Sequence, residues 1–276
     1  MKNSKYIYSA LWGMALCATV CFAVRSKIKI VLYRIRTDKV KKKVRLALIT
    51  DLHNRDYGAK KNELLIKTMK MNPDAVLLGG DIFDNRGEIV NSWELLRALG
   101  ARYPLIFVSG NHERVSEKSE TIEKIIKELG IIELKGEGIC LNNSGEKIVI
   151  CGVEDKSFGR EKFLDQLIHC TEMKGEETFN ILLSHHPEAV KYYKAAGFDL
   201  VLCGHTHGGQ WRLPGLINGF FAPNQGFFPK YGGGYYNLGE TKMVVSRGLA
   251  NTTPLPRIFN PPELVMVDIM PEKGDN

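Results

Sequence analysis

Short apolar runs alternate with stretches of helical apolar spacing from residue 44 almost to the end of the chain. Residues 44–50, 76–79 and 105–109 read as strands, with residues 62–71 and 92–99 as the helices between them. Asn72-Pro73 closes the first helix; Asn91 or Ser92 caps the second, and Gly100 ends it. Ile122, Ile125, Ile126 and Leu129 share one helical face up to Gly130. Residues 139–141 and 147–151 form a hairpin around Asn142-Asn143-Ser144-Gly145. Residues 178–184, 187–196 and 200–203 repeat the strand–helix–strand theme, and residues 243–246 and 264–269 are late strands. Residues 28–35 also read as a strand. This alternation predicts an α/β fold. In such folds ligands gather beyond the carboxyl ends of the strands.

Five of these strands end in polar clusters. They are Leu48-Ile49-Thr50-Asp51-Leu52-His53, Val76-Leu77-Leu78-Gly79-Gly80-Asp81, Phe107-Val108-Ser109-Gly110-Asn111-His112-Glu113, Leu182-Leu183-Ser184-His185-His186 and Leu202-Cys203-Gly204-His205-Thr206-His207. Singly, an Asp-x-His or a Gly-Gly-Asp is a turn more often than a site. The Gly204-His205-Thr206-His207 cluster says most, because two imidazoles two residues apart at a glycine-bounded strand end can project to one side. Jointly, the turn explanation fails: every histidine except His169 sits in a cluster, beside Asp51, Asp81 and Asn111. Imidazole, carboxylate and amide oxygen together suit Zn, Fe or Mn better than Ca. The donors exceed what one ion accepts and suit two, about 3.5–4 Å apart, clamping the attacking and leaving oxygens of a displacement. We therefore expect all five strand ends to meet at one dinuclear centre with Asp81 in its middle.

Charge changes the picture only once it is located. Residues 1–43 carry 11 Lys/Arg and one Asp; the rest of the chain holds 27 Lys/Arg and 30 Asp/Glu. The body is mildly acidic, so a nucleic-acid partner is not expected. The basic arm suits an anionic membrane surface, at roughly 1 kcal/mol per basic residue near the headgroups. Residues 6–24 hold no charge, with Lys2 and Lys5 before them and Arg25, Lys27 and Lys29 after. That run is long enough to cross a bilayer at about 1.5 Å per residue. No A-x-A site follows it, so an uncleaved single-pass anchor in the cell membrane is expected, not a signal peptide. The basic excess after the run favours the cytoplasmic side for the body, but residues 28–35 also read as a strand whose charges can belong to the fold, so the side stays open. The six cysteines form no CxxC pair, and Cys151 and Cys203 fall in strands as buried thiols.

The series Asp51-x-His53, Gly80-Asp81, Gly110-Asn111-His112-Glu113, His185 and Gly204-His205-x-His207 resembles, in order, the five signature blocks of calcineurin-like metallophosphoesterases. The tail resembles the membrane-associated bacterial branch related to UDP-2,3-diacylglucosamine hydrolases. The segments concerned are His207-Gly208-Gly209-Gln210 with Arg212-Leu213-Pro214, Val245-Ser246-Arg247-Gly248-Leu249, and Phe259-Asn260-Pro261-Pro262-Glu263. The resemblance implies a four-layer α/β/β/α sandwich of two mixed sheets over residues 44–272. Residues 1–25 would be the membrane anchor, and residues 26–43 a basic juxtamembrane segment with the first strand.

It also implies roles. Asp51, His53 and His207 would hold one divalent ion (Mn, Zn or Fe), Asn111, His185 and His205 a second, and Asp81 both. A hydroxide between the ions would be the nucleophile. His112 would stabilise the phosphoryl group or protonate the leaving oxygen, oriented by Asp84. Arg86 lies one place from the arginine some members set beside that carboxylate, and with Trp211 it is a candidate substrate contact. His186 faces a helix start and is expected to be structural; His169 is expected on a helix surface.

Residues 208–237 hold eight glycines and eight aromatics. They form either a loop with its own small core or an apolar rim that receives a lipid tail or a base. The expected function is hydrolysis of a phosphoester or pyrophosphate, on a substrate that is lipid-linked if the rim receives a tail. The rivals are a silent binding protein of the same fold and a nuclease.

Overall fold

The computed structural model describes residues 23–24, 27–58, 62–143, 145–250 and 255–272. Almost all of the uncharged run 6–24 lies outside them, and among the described residues no helix is long and apolar enough to cross a membrane.

The strands are β1 (Lys29–Thr37), β2 (Val44–Ile49), β3 (Ala75–Gly79), β4 (Leu105–Val108), β5 (Ile132–Glu133), β6 (Gly138–Asn143), β7 (Glu146–Gly152), β8 (Phe179–Leu183), β9 (Leu200–Cys203), β10 (Phe221–Ala222), β11 (Gly226–Phe227), β12 (Gly234–Asn237), β13 (Lys242–Val245) and β14 (Glu263–Pro271). They build two mixed six-stranded sheets, β1-β14-β2-β3-β4-β5 and β12-β13-β9-β8-β7-β6, and one small hairpin, β10-β11. The helices are α1 (Glu63–Met71), α2 (Ile89–Gly100), α3 (Asn111–Arg114), α4 (Ser119–Glu128), α5 (Arg160–Glu172) and α6 (Val190–Ala196).

Side-chain alternation sorts the core into layers. Leu46, Leu48, Leu77, Ile106 and Val108 of the first sheet meet Ile150, Ile181, Leu183, Leu200 and Leu202 of the second in one buried cluster between the sheets. The opposite faces bury against helices. Ala47, Ile49, Val76, Leu78 and Phe107 pack with Leu64, Leu95, Leu96, Ile122 and Ile126. Leu182, Val201 and Cys203 pack with Phe163, Leu167 and Tyr193. The layers are therefore helix, sheet, sheet, helix, and the central strands are apolar at nearly every position because both faces are covered, Arg45 and Asn180 being the exceptions.

Two helix ends instruct. Asn62 caps α1, its side chain accepting from the Leu65 N–H, and Asn72 closes it in the left-handed region. The expected cap of α2 is wrong: the helix begins at Ile89, and Glu88 precedes it without a side-chain cap bond. Asn91 instead donates to the Asn54 carbonyl, and Ser92 donates to the Asn54 side chain and the Ile82 carbonyl. Both polar groups face the loop after β2, not their own helix end.

The basic arm is also partly reassigned. Lys29, Arg34 and Arg36 lie in β1, which pairs in parallel with β14, and Lys39 is paired to Asp199 at 2.7 Å. Those charges belong to the folded domain.

Leu77 is fully buried between the sheets. Leu77→Ala should destabilise the protein by about 2–5 kcal/mol, read as a lowered midpoint in urea with the slope unchanged.

Candidate metal centre

The strand ends β2, β3, β4, β8 and β9 open on one edge where the two sheets meet, and there the backbone leaves ordinary geometry. Asp51, His53, Asp81, His205 and His207 all have φ between 48° and 70°. That is the left-handed region, disfavoured for residues with a Cβ. Five such residues at one edge mark strain held by the surroundings for a purpose. Two glycines allow the close approach: a Cβ on Gly110 would stand 2.2 Å from the Asp81 carboxylate, and one on Gly204 2.6 Å from the Asp51 carboxylate.

The loops are fastened by Glu113. Its carboxylate accepts the N–H groups of Asp81 and Gly110 on one oxygen and those of Ile82 and Phe83 on the other, at 2.7–3.0 Å. One buried carboxylate thus ties the loop after β3 to the loop after β4. Burial, then the neighbouring Asp81 charge, push its pKa up to about 7. Asn54 fastens the β2 loop, donating to the carbonyls of Asp84 and Arg86.

Within this frame two groups of ligand-type atoms form, each with all its atoms within 4.8 Å of one another: Asp51, His53, Asp81 and His207; and Asp81, His185 and His205. Asp81 belongs to both. His185 Nε2 lies 3.1 Å and His53 Nε2 3.8 Å from one Asp81 oxygen. His207 Nε2 is 3.5 Å from Asp51, and His205 Nδ1 is 3.3 Å from His185 Nε2. The Asn111 Oδ1 and His53 Nε2 atoms are buried with no hydrogen-bond partner.

Electrostatics fit a cation. Burial, with the Asp81 charge beside it, raises Asp51 above its ordinary pKa against the pull of His185 and His53. Burial would raise Asp81 too, but His185 and His53 hold it well below the usual carboxylate range. Burial opposes charge on His185, yet Asp81 lifts it well above 6.5. His205 is pushed down to about 2 by burial and by His185, and His207 is lowered by burial and by His53. Two imidazoles are thus kept neutral with lone pairs to donate, while protons on others balance the carboxylates. Divalent cations can replace those protons, and the orphaned Asn111 and His53 atoms would gain the partner they lack.

Around this centre stands a third group, His53, Asp84 and His112. One Asp84 oxygen lies 2.9 Å from His53 Nδ1 and 3.1 Å from His112 Nδ1, and Arg86 braces it at 3.0 Å. Burial would raise the Asp84 pKa, but the His53 and Arg86 hydrogen bonds carry it far below its ordinary value. Asp84 therefore orients two histidines, not His112 alone.

His186 is clasped between Asp155 at 2.6 Å and Glu188 at 2.8 Å, with its ring 3.8 Å from that of His205. His169 is exposed on α5. Trp211 does not join the cluster: its indole N–H donates to the Pro256 carbonyl and its ring stacks on Phe220 at 5.6 Å.

The tail supplies supports that the sequence did not reveal. The N–H groups of Leu249 and Ala250 donate to the Asp51 carbonyl, and Asn260 donates to the His207 carbonyl at 2.7 Å. Arg257 is buried, donating to the Arg247, Gly248 and Ala250 carbonyls and standing 3.4 Å from His207 Nδ1. Asn224, from the aromatic loop, reaches His205 Nε2 at 2.8 Å. A lone arginine and a loop asparagine carry no periodic or motif signal, so nothing in the sequence pointed to them. A cavity of about 630 Å³ opens beside the centre, walled by Asn111, His205, Asn224, Arg160, Phe163 and Tyr192.

Comparison with known proteins comes to the same place. A family model described as calcineurin-like phosphoesterase matches residues 44–209, more than half of the chain. An uncharacterised metallophosphoesterase of Campylobacter jejuni is 30% identical over 242 residues, covering 85% of this chain and 61% of that protein. The phosphodiesterase YaeI of Escherichia coli is 28% identical over 208 residues, covering 73% and 72%. The solved structure of the Haemophilus influenzae NAD nucleotidase superposes with a TM-score of 0.50 at 16% identity, over 75% of this chain and 45% of that one; this likeness is one of fold.

Glu113→Gln would turn an amide N–H₂ towards two of the four backbone donors. It should cost about 1–3 kcal/mol for each N–H left facing it. Urea denaturation of metal-stripped protein measures the loss.

Proposed function

The chain belongs to the calcineurin-like phosphoesterase family, and from that premise we propose that it hydrolyses a phosphoester or pyrophosphate at a centre of two divalent cations. The observation that carries this is the sharing of Asp81 between two groups of buried ligand atoms. Asp51, His53, Asp81 and His207 would hold one ion; Asp81, Asn111, His185 and His205 the other. When bound, the cations supply positive charge that lowers the pKa of a water and neutralises phosphoryl oxygens.

The chain's own residues do the rest. Asp84 accepts from the Nδ1 side of His53, which fixes the tautomer and leaves Nε2 free for an ion. The same carboxylate holds His112 by Nδ1, which turns Nε2 away from Asp84. That leaves Nε2–H to donate to the departing oxygen. Arg86 braces Asp84 and lines a surface pocket with His53 and Asp84. His186, held by Asp155 and Glu188, packs against His205 and fixes that ring.

The cavity beside Asn111 and His205 is far larger than a phosphate group needs, which supports a substantial leaving group. The uncharged run 6–24 supports a single-pass anchor in the cell membrane. With the aromatic stretch after His207, it favours a lipid-linked phosphate or pyrophosphate, as in the branch related to UDP-2,3-diacylglucosamine hydrolases. The acidic balance of residues 44–276 disfavours a nuclease.

Asp81→Asn should release metal and abolish activity together. His112→Ala should keep its metal and lose about 10²–10⁴-fold in turnover. Elemental analysis beside a rate assay on a soluble diester reads both, and the reverse pattern would refute the assignment. Hydrolysis of a lipid-linked pyrophosphate should exceed that of the soluble diester and depend on detergent; equal, detergent-independent rates would exclude the lipid-linked class.

A further inference from the structure

Exposed apolar side chains elsewhere on the described surface stand singly on separate elements, such as Ile66 on α1 and Ile168 on α5. After His207 they gather. Leu216 is 81% exposed, Phe227 65% and Phe228 62%. The aromatic rings are one surface, not scattered residues: the Phe220 ring lies 5.6 Å from Trp211, 5.4 Å from Phe227 and 5.7 Å from Phe228, and Phe221 lies 5.4 Å from Phe227. Strands β10 and β11 hold Phe221 and Phe227 opposite each other. A contiguous exposed apolar patch of this kind marks an interaction surface.

Three observations select the partner. First, the uncharged run enters the fold at the patch: the Phe259 N–H donates to the Ala23 carbonyl at 2.7 Å, and the neighbouring Ile258 bridges Trp211. Second, no Asp or Glu occurs from His205 to Gly239, while Arg212 and Lys230 do, and Lys27 and Lys29 are exposed where the run ends. An apolar stretch that carries cations and no carboxylate of its own complements anionic headgroups over acyl chains. Third, the hairpin turn reaches the centre through Asn224 and His205. A surface that buried these rings would therefore bring its phosphates to the metal cluster.

We propose that the hairpin carrying Phe221, Phe227 and Phe228, with Leu216, is embedded in the lipid surface as a second membrane contact. It sets the metal centre at headgroup depth. This rests on the membrane location proposed above for residues 6–24 and adds the face that the body turns to the bilayer. Lipid-linked phosphates would then be met in the plane of the membrane, and their acyl chains would never cross water.

The test uses the full chain in nanodiscs of phosphatidylethanolamine and phosphatidylglycerol with brominated acyl chains. Phe227→Trp adds a fluorophore on the hairpin, Ile66→Trp adds one on α1, and the Trp12→Phe difference reports residues 6–24. Bromolipid should quench the added emission at position 227 by half or more and leave that at position 66 unchanged. Quenching of Trp12 without quenching at 227 would keep the anchor and overturn this proposal, whether iodide reaches 227 from water or a protein segment shields it. Phe227→Ser combined with Phe228→Ser should lower hydrolysis of a vesicle-embedded lipid phosphate at least tenfold and leave a soluble diester unaffected; an equal fall on both substrates also overturns it. Failure of the wild-type protein, loaded with metal, to hydrolyse any soluble or vesicle-embedded ester would refute the enzymatic assignment without touching the quenching result.

Discussion

Two carboxylates buried without a lysine or arginine ion pair among the described residues, Asp51 and Asp81, are the constraint to which the structure answers. A buried carboxylate is unstable unless positive charge or donors surround it. Here the compensation is imidazole: His53, His185 and His207 lie within 3.1–3.8 Å of the two groups. Backbone donors add the rest, from His205 to Asp51 and from His112 to Asp81. Histidines can trade a proton for a metal ion without changing place. An arginine in the same position would have closed the site to cations.

Holding so many like groups together requires a rigid frame, and its parts come from distant stretches of chain. The strained backbone at Asp51, Asp81, His205 and His207 persists because its loops are tied from behind. Glu113 ties the loops after β3 and β4, while Leu249, Ala250 and Asn260 tie Asp51 and His207. The family match ends at residue 209, yet the described tail provides much of this support. The tail also carries Arg257 beside His207, which helps to keep that imidazole uncharged.

The surroundings of the centre are not alike. Beside Asn111 and His205 lies the cavity walled by α5 residues and Tyr192, suited to a polar or aromatic leaving group. The glycine-rich stretch after His207 forms a hairpin whose turn touches His205 and whose rings stay exposed. The turn of the hairpin therefore walls the cavity through Pro223 and Asn224, while Phe227 and Phe228 lie on the exposed surface outside it.

Much of this was legible in the sequence, for physical reasons. Apolar alternation placed most of the strands and helices, because a strand covered on both faces has few acceptable residues. The five polar strand ends singled out the atoms that gather, because imidazole and carboxylate have no packing use at such positions. Asp84 was expected beside His112, and it stands there. Its hold on His53 was not legible, since two rings sharing one oxygen is a matter of angle and distance. The cap of α2 was misjudged because Asn91 and Ser92 have the right chemistry for a helix end and are used instead by the β2 loop. The four N–H bonds to Glu113, the buried Arg257 and the reach of Asn224 needed the folded chain. Each joins segments whose separation in sequence carries no period, and only tertiary packing decides which backbone donors face which side chain.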